Sequence, residues 1–415
     1  MIIPKQYGKM VVSFLGGDTV KIKRIISLIS AAAMSAMLLT ACNGGGTAEE
    51  TTVTEEHDMT VETIYTANAE NVKHLGRTYF SEDKLYCALS GSGAEFSFNG
   101  TKCVIKIKGD TTSMGGAAQA DNQARVAIYV NGERVVDDMV DQMIEEYTVF
   151  ESAVAEDVTV SVVKLSESPM STIAIEEIKV TGTVIQPTAD KDLLIEFVGD
   201  SITCGYGSDD PVKENHFSTK TEDVTKAYAY KTAQALDADY SMVSFSGYGI
   251  ISGYSTNDKP VTAQTVPQFY TKLGFSWNTN GNFKPDNVEW DFSKRQPDVV
   301  VINLGTNDDS YTKGQDEREL AYAEEYVNFL KTIREKNPDA KIVCTLGVMG
   351  DRLFEYVQLA ADNYKAETGD NNIYTMKFDV QNPDDGYSAD WHPSITTHDK
   401  AAEKLSAELK TILGR

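Results

Sequence analysis

From residue 94 to residue 182 the chain repeatedly alternates apolar and polar side chains at a period of two. The segments 94–98, 103–109, 124–135, 158–165 and 173–182 carry this pattern, which marks strands with one face on a core and the other in water. Within the third, Asn131-Gly132-Glu133 is a hairpin-turn signal. Many short strands parted by Gly- and Asn-bearing turns predict an all-β sandwich or jelly roll, placed at 67–185. A polar linker is expected at 185–192, and after it the pattern changes. The segments 193–198, 240–245, 298–304, 340–346 and 372–378 are nearly continuous apolar runs. Helical periods fall between several of them, at 221–238 (Thr221 being its candidate N-cap), 315–336 and 351–367, with a last one at 396–413. Buried strands alternating with helices predict a doubly wound parallel sheet covered on both faces, an α/β domain over 190–415. Residues 250–296 break the alternation with Gly, Pro, Asn and aromatics, and a connection of that length is expected to be functional or an insertion.

The amino-terminal pattern is of another kind. Lys21, Lys23 and Arg24 precede the apolar run 25–42, the order of a signal peptide's charged and apolar regions. The run is short and rich in Ala and Ser for a stable membrane span. It ends in Leu39-Thr40-Ala41-Cys42, which resembles a bacterial lipobox and makes Cys42 the expected lipidation site of a signal peptide at 1–42. Residues 43–66 then read as a flexible acidic tether. The expected location is the bacterial cell surface, outside the cytoplasm, with the membrane met only through a lipid anchor.

Charge narrows the partners. The 415 residues hold 62 Asp and Glu against 38 Lys and Arg, a formal charge of −24, so no positive footprint for nucleic acid is present. Cys87, Cys103, Cys204 and Cys344 show neither metal spacing nor a disulfide framework. They are expected as buried free thiols, with Cys87–Cys103 the one local pairing to weigh. No His, Asp, Glu and Cys grouping has metal-ligand spacing, so no metal or other cofactor is expected.

In a parallel sheet, ligands bind beyond the carboxyl ends of the strands. There the chain delivers Gly199-Asp200-Ser201, Ser246-Gly247-Tyr248-Gly249, Gly305-Thr306-Asn307-Asp308 and a loop containing Asp390 and His392. These are the parts of an acyl-transfer site. A serine hydroxyl needs an adjacent base, and His392 is suited to take the Ser201 proton and return it to the leaving alcohol. In an extended segment i and i+2 share a side, so Asp390 is expected to accept from the imidazole and set its tautomer. The backbone N–H groups of Ser201 and Gly247 and the side-chain amide of Asn307 are candidate oxyanion donors. Gly247 would let backbone come close without a Cβ in the way. On "GDS" alone, Ser201 reads first as a helix N-cap, and Asn307 and Asp308 could form an Asx-turn.

The four blocks "GDSIT", the glycine after the second strand, "GTND" and "DWHP", in that order, resemble the SGNH (GDSL-type) hydrolases. With a β-rich domain in front, "GDSITCGYG" and "DWHP" resemble carbohydrate esterase family two over residues 75–413. The resemblance implies a three-layer α/β hydrolase domain behind a jelly roll. It also implies a serine esterase that removes acetyl groups from plant cell-wall polysaccharides such as xylan or glucomannan, through an acyl-enzyme intermediate. Many SGNH enzymes place the acid three residues before the histidine, where this chain has Ala389. Some family-two members orient the histidine by a backbone carbonyl instead, and Asp384 and Asp385 are alternative acids. Trp391, Tyr248 and Tyr254 are candidate sugar-binding rings, with Tyr206 and Tyr387 nearby in sequence. Cys204 is expected as a small packing residue near the site. An esterase acting on acetylated peptidoglycan or short acyl esters, and a non-catalytic surface carbohydrate-binding protein, are the competing readings.

Overall fold

The computed structural model describes residues 59–415. The expected signal peptide, Cys42 and residues 43–58 of the tether lie outside the described residues. No helix among the described residues is long and apolar enough to cross a membrane.

Ten strands form one antiparallel sheet in the first half of the chain: β1 (Glu62–Tyr65), β2 (Lys73–Leu75), β3 (Thr78–Ser81), β4 (Lys84–Cys87), β5 (Gly93–Lys108), β6 (Arg125–Val130), β7 (Glu133–Met139), β8 (Ile144–Lys164), β9 (Ile173–Gly182) and β10 (Gln186–Pro187). The order is β3-β4-β9-β5-β8-β6-β7, with β1 added to β9 and both β2 and β10 to β5. The expected sandwich is reached by curling this sheet rather than by stacking two separate ones. β5 and β8, of 16 and 21 residues, serve both faces. Their ladder slips register at Gly100/Lys102 and at Cys103/Val104, and such bulges bend a strand. Alternate residues from both sides of the bend, Phe96, Phe98, Ile105 and Ile107 among them, then meet in one core. The segments 94–98 and 103–109, separate by pattern, are therefore one bent strand: Asn99-Gly100 looks like a hairpin turn but marks a bulge. Asn131 and Gly132, both at positive φ, do make a hairpin turn, between β6 and β7.

Two short strands fall where linkers were expected. β1 lies inside 43–66 and pairs Glu62 with Thr181 through Tyr65 with Ile178. β10 lies inside 185–192 and pairs with Ser97 and Phe96. Backbone pairing, not an apolar pattern, recruits both. Cys87, Cys103, Cys204 and Cys344 are buried free thiols.

The second half builds a five-stranded sheet from β11 (Leu194–Gly199), β12 (Asp239–Ser244), β13 (Val299–Asn303), β14 (Lys341–Val348) and β15 (Ile373–Val380). All pairings are parallel, in the order β12-β11-β13-β14-β15. The helices are α1 (Ser201–Cys204), α2 (Tyr228–Ala235), α3 (Thr306–Thr312), α4 (Asp316–Lys336), α5 (Phe354–Thr368) and α6 (Ile395–Leu413). Tyr322, Tyr326 and Leu330 of α4 and Val357 and Ala360 of α5 pack on Val300, Ile302 and Ile342. Tyr228 of α2 and Leu405 and Leu409 of α6 pack on the other face, against Ile195, Phe197 and Val301. This is the three-layer, doubly wound arrangement. Its strand order reverses between β11 and β13, and in such sheets the crevice at the reversal is the ligand site.

The helix expected over 221–238 is shorter. Residues 219–221 and 224–226 are 3₁₀ turns capped by Ser218 and Asp223, and α2 begins only at Tyr228, so Thr221 caps nothing. Tertiary bonds override the helical period here: Glu222 accepts from the Glu167 N–H and Asp223 from Arg134. The two sheets are locked by a buried ion pair. Arg77, from the link between β2 and β3, makes two bonds to Glu196 of β11 at 2.9 and 3.1 Å and donates to the Lys272 carbonyl at 3.1 Å. Its guanidinium lies 4.9 Å from each of the ring centres of Tyr270 and Phe292.

Candidate active site

β11 ends in Gly199, and the chain turns directly into α1, whose first residue is Ser201. Asp200, not Ser201, is the N-cap, since its carboxylate accepts the Ile202 N–H at 3.0 Å. The serine is thus released from capping, and its hydroxyl points at the loop that carries His392. His392 Nε2 lies 2.8 Å from Ser201 Oγ, and both residues are buried. The imidazole Nδ1 lies 3.2 Å from the Ala389 carbonyl. A carbonyl oxygen only accepts, so Nδ1 carries the hydrogen, and in the neutral ring Nε2 is left to accept from the serine. Burial lowers the His392 pKa to about 4, against the raising effect of the Ala389 bond and the Asp390 charge. At neutral pH the ring is a free base.

Asp390 is not where the sequence placed it. Residues 389–391 form a 3₁₀ turn, and Asp390 and Trp391 have φ of 49° and 62°. The segment is not extended, so i and i+2 do not share a side, and the carboxylate turns away from the imidazole. It accepts instead from Tyr206 Oη at 2.6 Å, from His216 Nδ1 at 2.9 Å and from the Phe217 N–H at 3.1 Å. Partial burial would raise its pKa, but these bonds outweigh it and hold the carboxyl below its ordinary value. Its link to the base is indirect. The Tyr206 ring stacks on His392 with centres 3.9 Å apart and planes 17° from parallel. The alternative acids lie elsewhere: Asp385 pairs with Lys400 at 2.7 Å, and Asp384 is exposed.

The oxyanion candidates converge on the same crevice. Asn307 is the second residue of α3, just beyond β13. Its amide donates to the Tyr248 carbonyl at 2.8 Å, and Asp200 Oδ2 stands 3.4 Å from the same nitrogen. Gly247 has φ of 81°, the left-handed region. A Cβ added there would meet nothing within 4 Å, so the glycine is needed for its dihedral angle and not, as expected, for close approach. Close approach matters at Gly249, where a Cβ would fall 2.4 Å from Asp308 Oδ2. Asp308 is fully buried and accepts the N–H groups of Ile250, Ile251 and Ser252 at 2.8–3.1 Å. It therefore ties the start of the 250–296 connection to α3. Burial raises the Asp200 carboxyl to about 7 and the Asp308 carboxyl to about 6, with the nearby Asp308 charge adding to the shift on Asp200.

The three expected sugar-binding rings divide. Trp391 is 50% exposed, 5.3 Å from the Tyr387 ring, with Lys213 Nζ 4.1 Å from its centre. Tyr254 is 61% exposed, and its N–H donates to the Gly247 carbonyl at 2.8 Å, which places it beside the oxyanion turn. Tyr248 is a core residue packed on Phe245, Phe269 and Phe275. It serves the site through its carbonyl. Tyr206, also grouped with the sugar-facing rings, lies against the base instead. Trp277, within the 250–296 connection, is 56% exposed and edge-on to Phe275. Glu167, Cys204 and Glu222 place their ligand atoms within 4.8 Å of one another, a grouping no sequence spacing reveals. Cys204 is buried, as expected. A separate cavity of about 630 Å³ lies at the amino ends of β11 and β12, near Trp290 and Phe292. Its Lys73 and Arg295 are already paired with Asp239, and it holds no nucleophile–base pair.

A serine hydrogen-bonded to a histidine at the switch point, with an asparagine amide beside it, defines the GDSL-type acylhydrolase class. Residues 197–400 match the GDSL-like lipase/acylhydrolase family, and residues 74–188 match the carbohydrate esterase 2 N-terminal family. The chain is 38% identical over 239 residues to the cellulase/esterase CelE of Acetivibrio thermocellus, covering 56% of this chain and 27% of that protein, so it spans about a quarter of that relative's length. It is 27% identical over 259 residues to an acetylxylan esterase/glucomannan deacetylase of Cellvibrio japonicus, covering 61% of this chain and 67% of the relative. The solved structure of a family two carbohydrate esterase from Clostridium thermocellum, in complex with cellohexaose, matches with a TM-score of 0.71 at 30% identity, over 83% of this chain and 99% of that one. An acetyl xylan esterase from the rumen bacterium Butyrivibrio proteoclasticus shares the fold, with a TM-score of 0.75 at 24% identity, over 85% of this chain and 98% of that one. The chain belongs to carbohydrate esterase family two, a family of carboxylic ester hydrolases.

Proposed function

We propose that this protein is a serine esterase that removes O-acetyl groups from a polysaccharide such as xylan or glucomannan. The observation that carries the reading is the 2.8 Å contact between His392 Nε2 and Ser201 Oγ at the sheet's switch point. Ser201 attacks the acetyl carbonyl while His392 takes its proton, held in the correct tautomer by the Ala389 carbonyl. The N–H groups of Ser201 and Gly247 and the Asn307 amide receive the oxyanion. His392 returns the proton to the sugar hydroxyl as it leaves, and water, deprotonated by the same ring, clears the acetyl-enzyme. The polysaccharide lies across the exposed rings of Trp391 and Tyr254. The relatives' names, acetylxylan esterase and glucomannan deacetylase, support this substrate class. Residues 1–42 direct export, and Cys42 carries the lipid that holds the enzyme at the cell surface.

The test is acetate release from acetylated xylan and glucomannan, together with hydrolysis of p-nitrophenyl acetate. Folded Ser201→Ala and His392→Ala should each lose activity by several orders of magnitude. Near-normal turnover by Ser201→Ala would refute the mechanism. Cleavage of p-nitrophenyl acetate with no acetate from any polysaccharide would refute the substrate. Membrane partitioning that Cys42→Ser leaves unchanged would refute the anchor.

A further inference from the structure

The connection between β8 and β9, residues 165–172, is buried at every position but 170, although Ser166, Glu167, Ser168, Ser171 and Thr172 are polar. Loops ordinarily run over the surface because their backbone groups need water. Here the α/β domain replaces that water. The Val224 N–H donates to the Leu165 carbonyl at 3.3 Å and the Trp277 N–H to the Pro169 carbonyl at 3.0 Å. The Asn278 amide donates to the Met170 carbonyl at 2.7 Å, and the Glu222 carboxylate accepts the Glu167 N–H at 2.9 Å.

Glu167 reaches the reacting region. Its Oε2 accepts the Ser246 N–H at 2.7 Å, immediately before Gly247. Cys204 Sγ stands 3.9 Å from the same oxygen and 3.2 Å from Ser244 Oγ. Cys204 is the last residue of α1, the helix that Ser201 opens. One buried carboxylate thus touches both the oxyanion turn and the nucleophile helix, and it comes from the β domain.

We propose that Glu167 is a positioning residue for the oxyanion hole, holding the Ser246–Gly247 turn so that the Gly247 N–H faces the carbonyl attacked by Ser201. This rests on Ser201 being the nucleophile. The surroundings keep the carboxylate in place. Lys164 is fully buried and donates to the carbonyls of Ser166 at 2.6 Å and Glu167 at 3.1 Å. Glu167 Oε1 and Glu222 Oε1 are buried without a partner. Burial raises the pKa of both carboxyls, while the nearby Lys164 charge lowers it. The β domain is on this account part of the catalytic machinery and not a detachable binding module.

The experiment compares Glu167→Gln, Glu167→Asp and Glu167→Ala in the full chain. Gln keeps the reach to Ser246 and an accepting oxygen; Asp keeps the acid but withdraws it by one methylene. The readouts are kcat and KM on p-nitrophenyl acetate, the affinity of phenylboronic acid, which forms a tetrahedral adduct on a serine hydroxyl, and a thermal melt to confirm folding. Ala and Asp should lower kcat by about 10- to 100-fold with KM little changed. Boronate affinity should weaken in step, because the adduct mimics the transition state. Gln should stay within about threefold of wild type on the same argument. If Ala does not fold, the order of Gln above Asp decides alone. Wild-type kcat in folded Ala or Asp, or Gln no better than Asp, overturns the proposal. Ser201→Ala run alongside should show neither turnover nor boronate binding; if it shows both, the nucleophile assignment has failed instead.

Discussion

Asp390→Asn separates a direct catalytic acid from an indirect one. If Asp390 were bonded to His392, the substitution would favour the wrong tautomer and cost about 10⁴ in kcat. The structure gives that bond to the Ala389 carbonyl, which no side-chain substitution removes. Asp390→Asn removes a charge near His392 and weakens the bonds from Tyr206, His216 and Phe217, and of these bonds the 2.6 Å one from Tyr206 bears on the base, because that ring covers His392. A hydrogen bond to a charged group contributes about 1.5–3 kcal/mol and a neutral one about 0.5–1.5. The exchange therefore weakens the tether on Tyr206 by about 1–2 kcal/mol. Even if all of that reached the transition state, the loss in kcat would be about 5- to 30-fold. The assay is steady-state hydrolysis of p-nitrophenyl acetate, with circular dichroism to establish folding. Tyr206→Phe, which deletes the hydroxyl but keeps the stacked ring, should fall in the same range. A loss of 10³-fold or more in folded Asp390→Asn would refute the reasoning and return the orienting role to the carboxylate.

Three further expectations follow from the geometry. His392 must be neutral to accept the Ser201 proton, and burial holds its pKa at about 4; the acid limb of kcat/KM should therefore fall near pH 4, with activity kept through the range where an exposed imidazole of pKa about 6.5 would already be protonated. A limb at 6.5 would show that the ring is not the buried base described. Arg77→Met should lower stability by about 3–5 kcal/mol, because it strands the Glu196 carboxylate in the interior; a change under about 1 kcal/mol in urea unfolding would mean that the pair does not lock the two sheets. Trp391→Ala should raise KM for acetylated polysaccharide by about tenfold, a stacking contribution of about 1.4 kcal/mol, while leaving p-nitrophenyl acetate nearly unaffected; equal effects on both substrates would remove the ring from sugar binding.

Local pattern determined much of this protein. Short, nearly continuous apolar runs alternating with helical periods mark strands covered on both faces, so the parallel sheet and most of its helices were legible. Ligands gather at the carboxyl ends of such strands, so Ser201, Gly247, Asn307 and His392 could be named from what each strand delivers. Long-range contact decided the rest. Asp390 was misplaced because its backbone is left-handed: Asp390 is anchored by Asn215, Tyr206, His216 and Phe217, and no two-residue spacing reports that. The 221–238 helix shrank because Glu222 and Asp223 are committed to partners 55 and 89 residues away. β1 and β10, of four and two residues, are too short for an apolar alternation to announce them, and backbone pairing adds each to the sheet. Glu167 is the furthest case. In "LSESPMST" it is an ordinary loop acid, and only the docking of one sheet's loop beneath the other sheet's crevice makes it a buried carboxylate bonded to the turn beside the nucleophile.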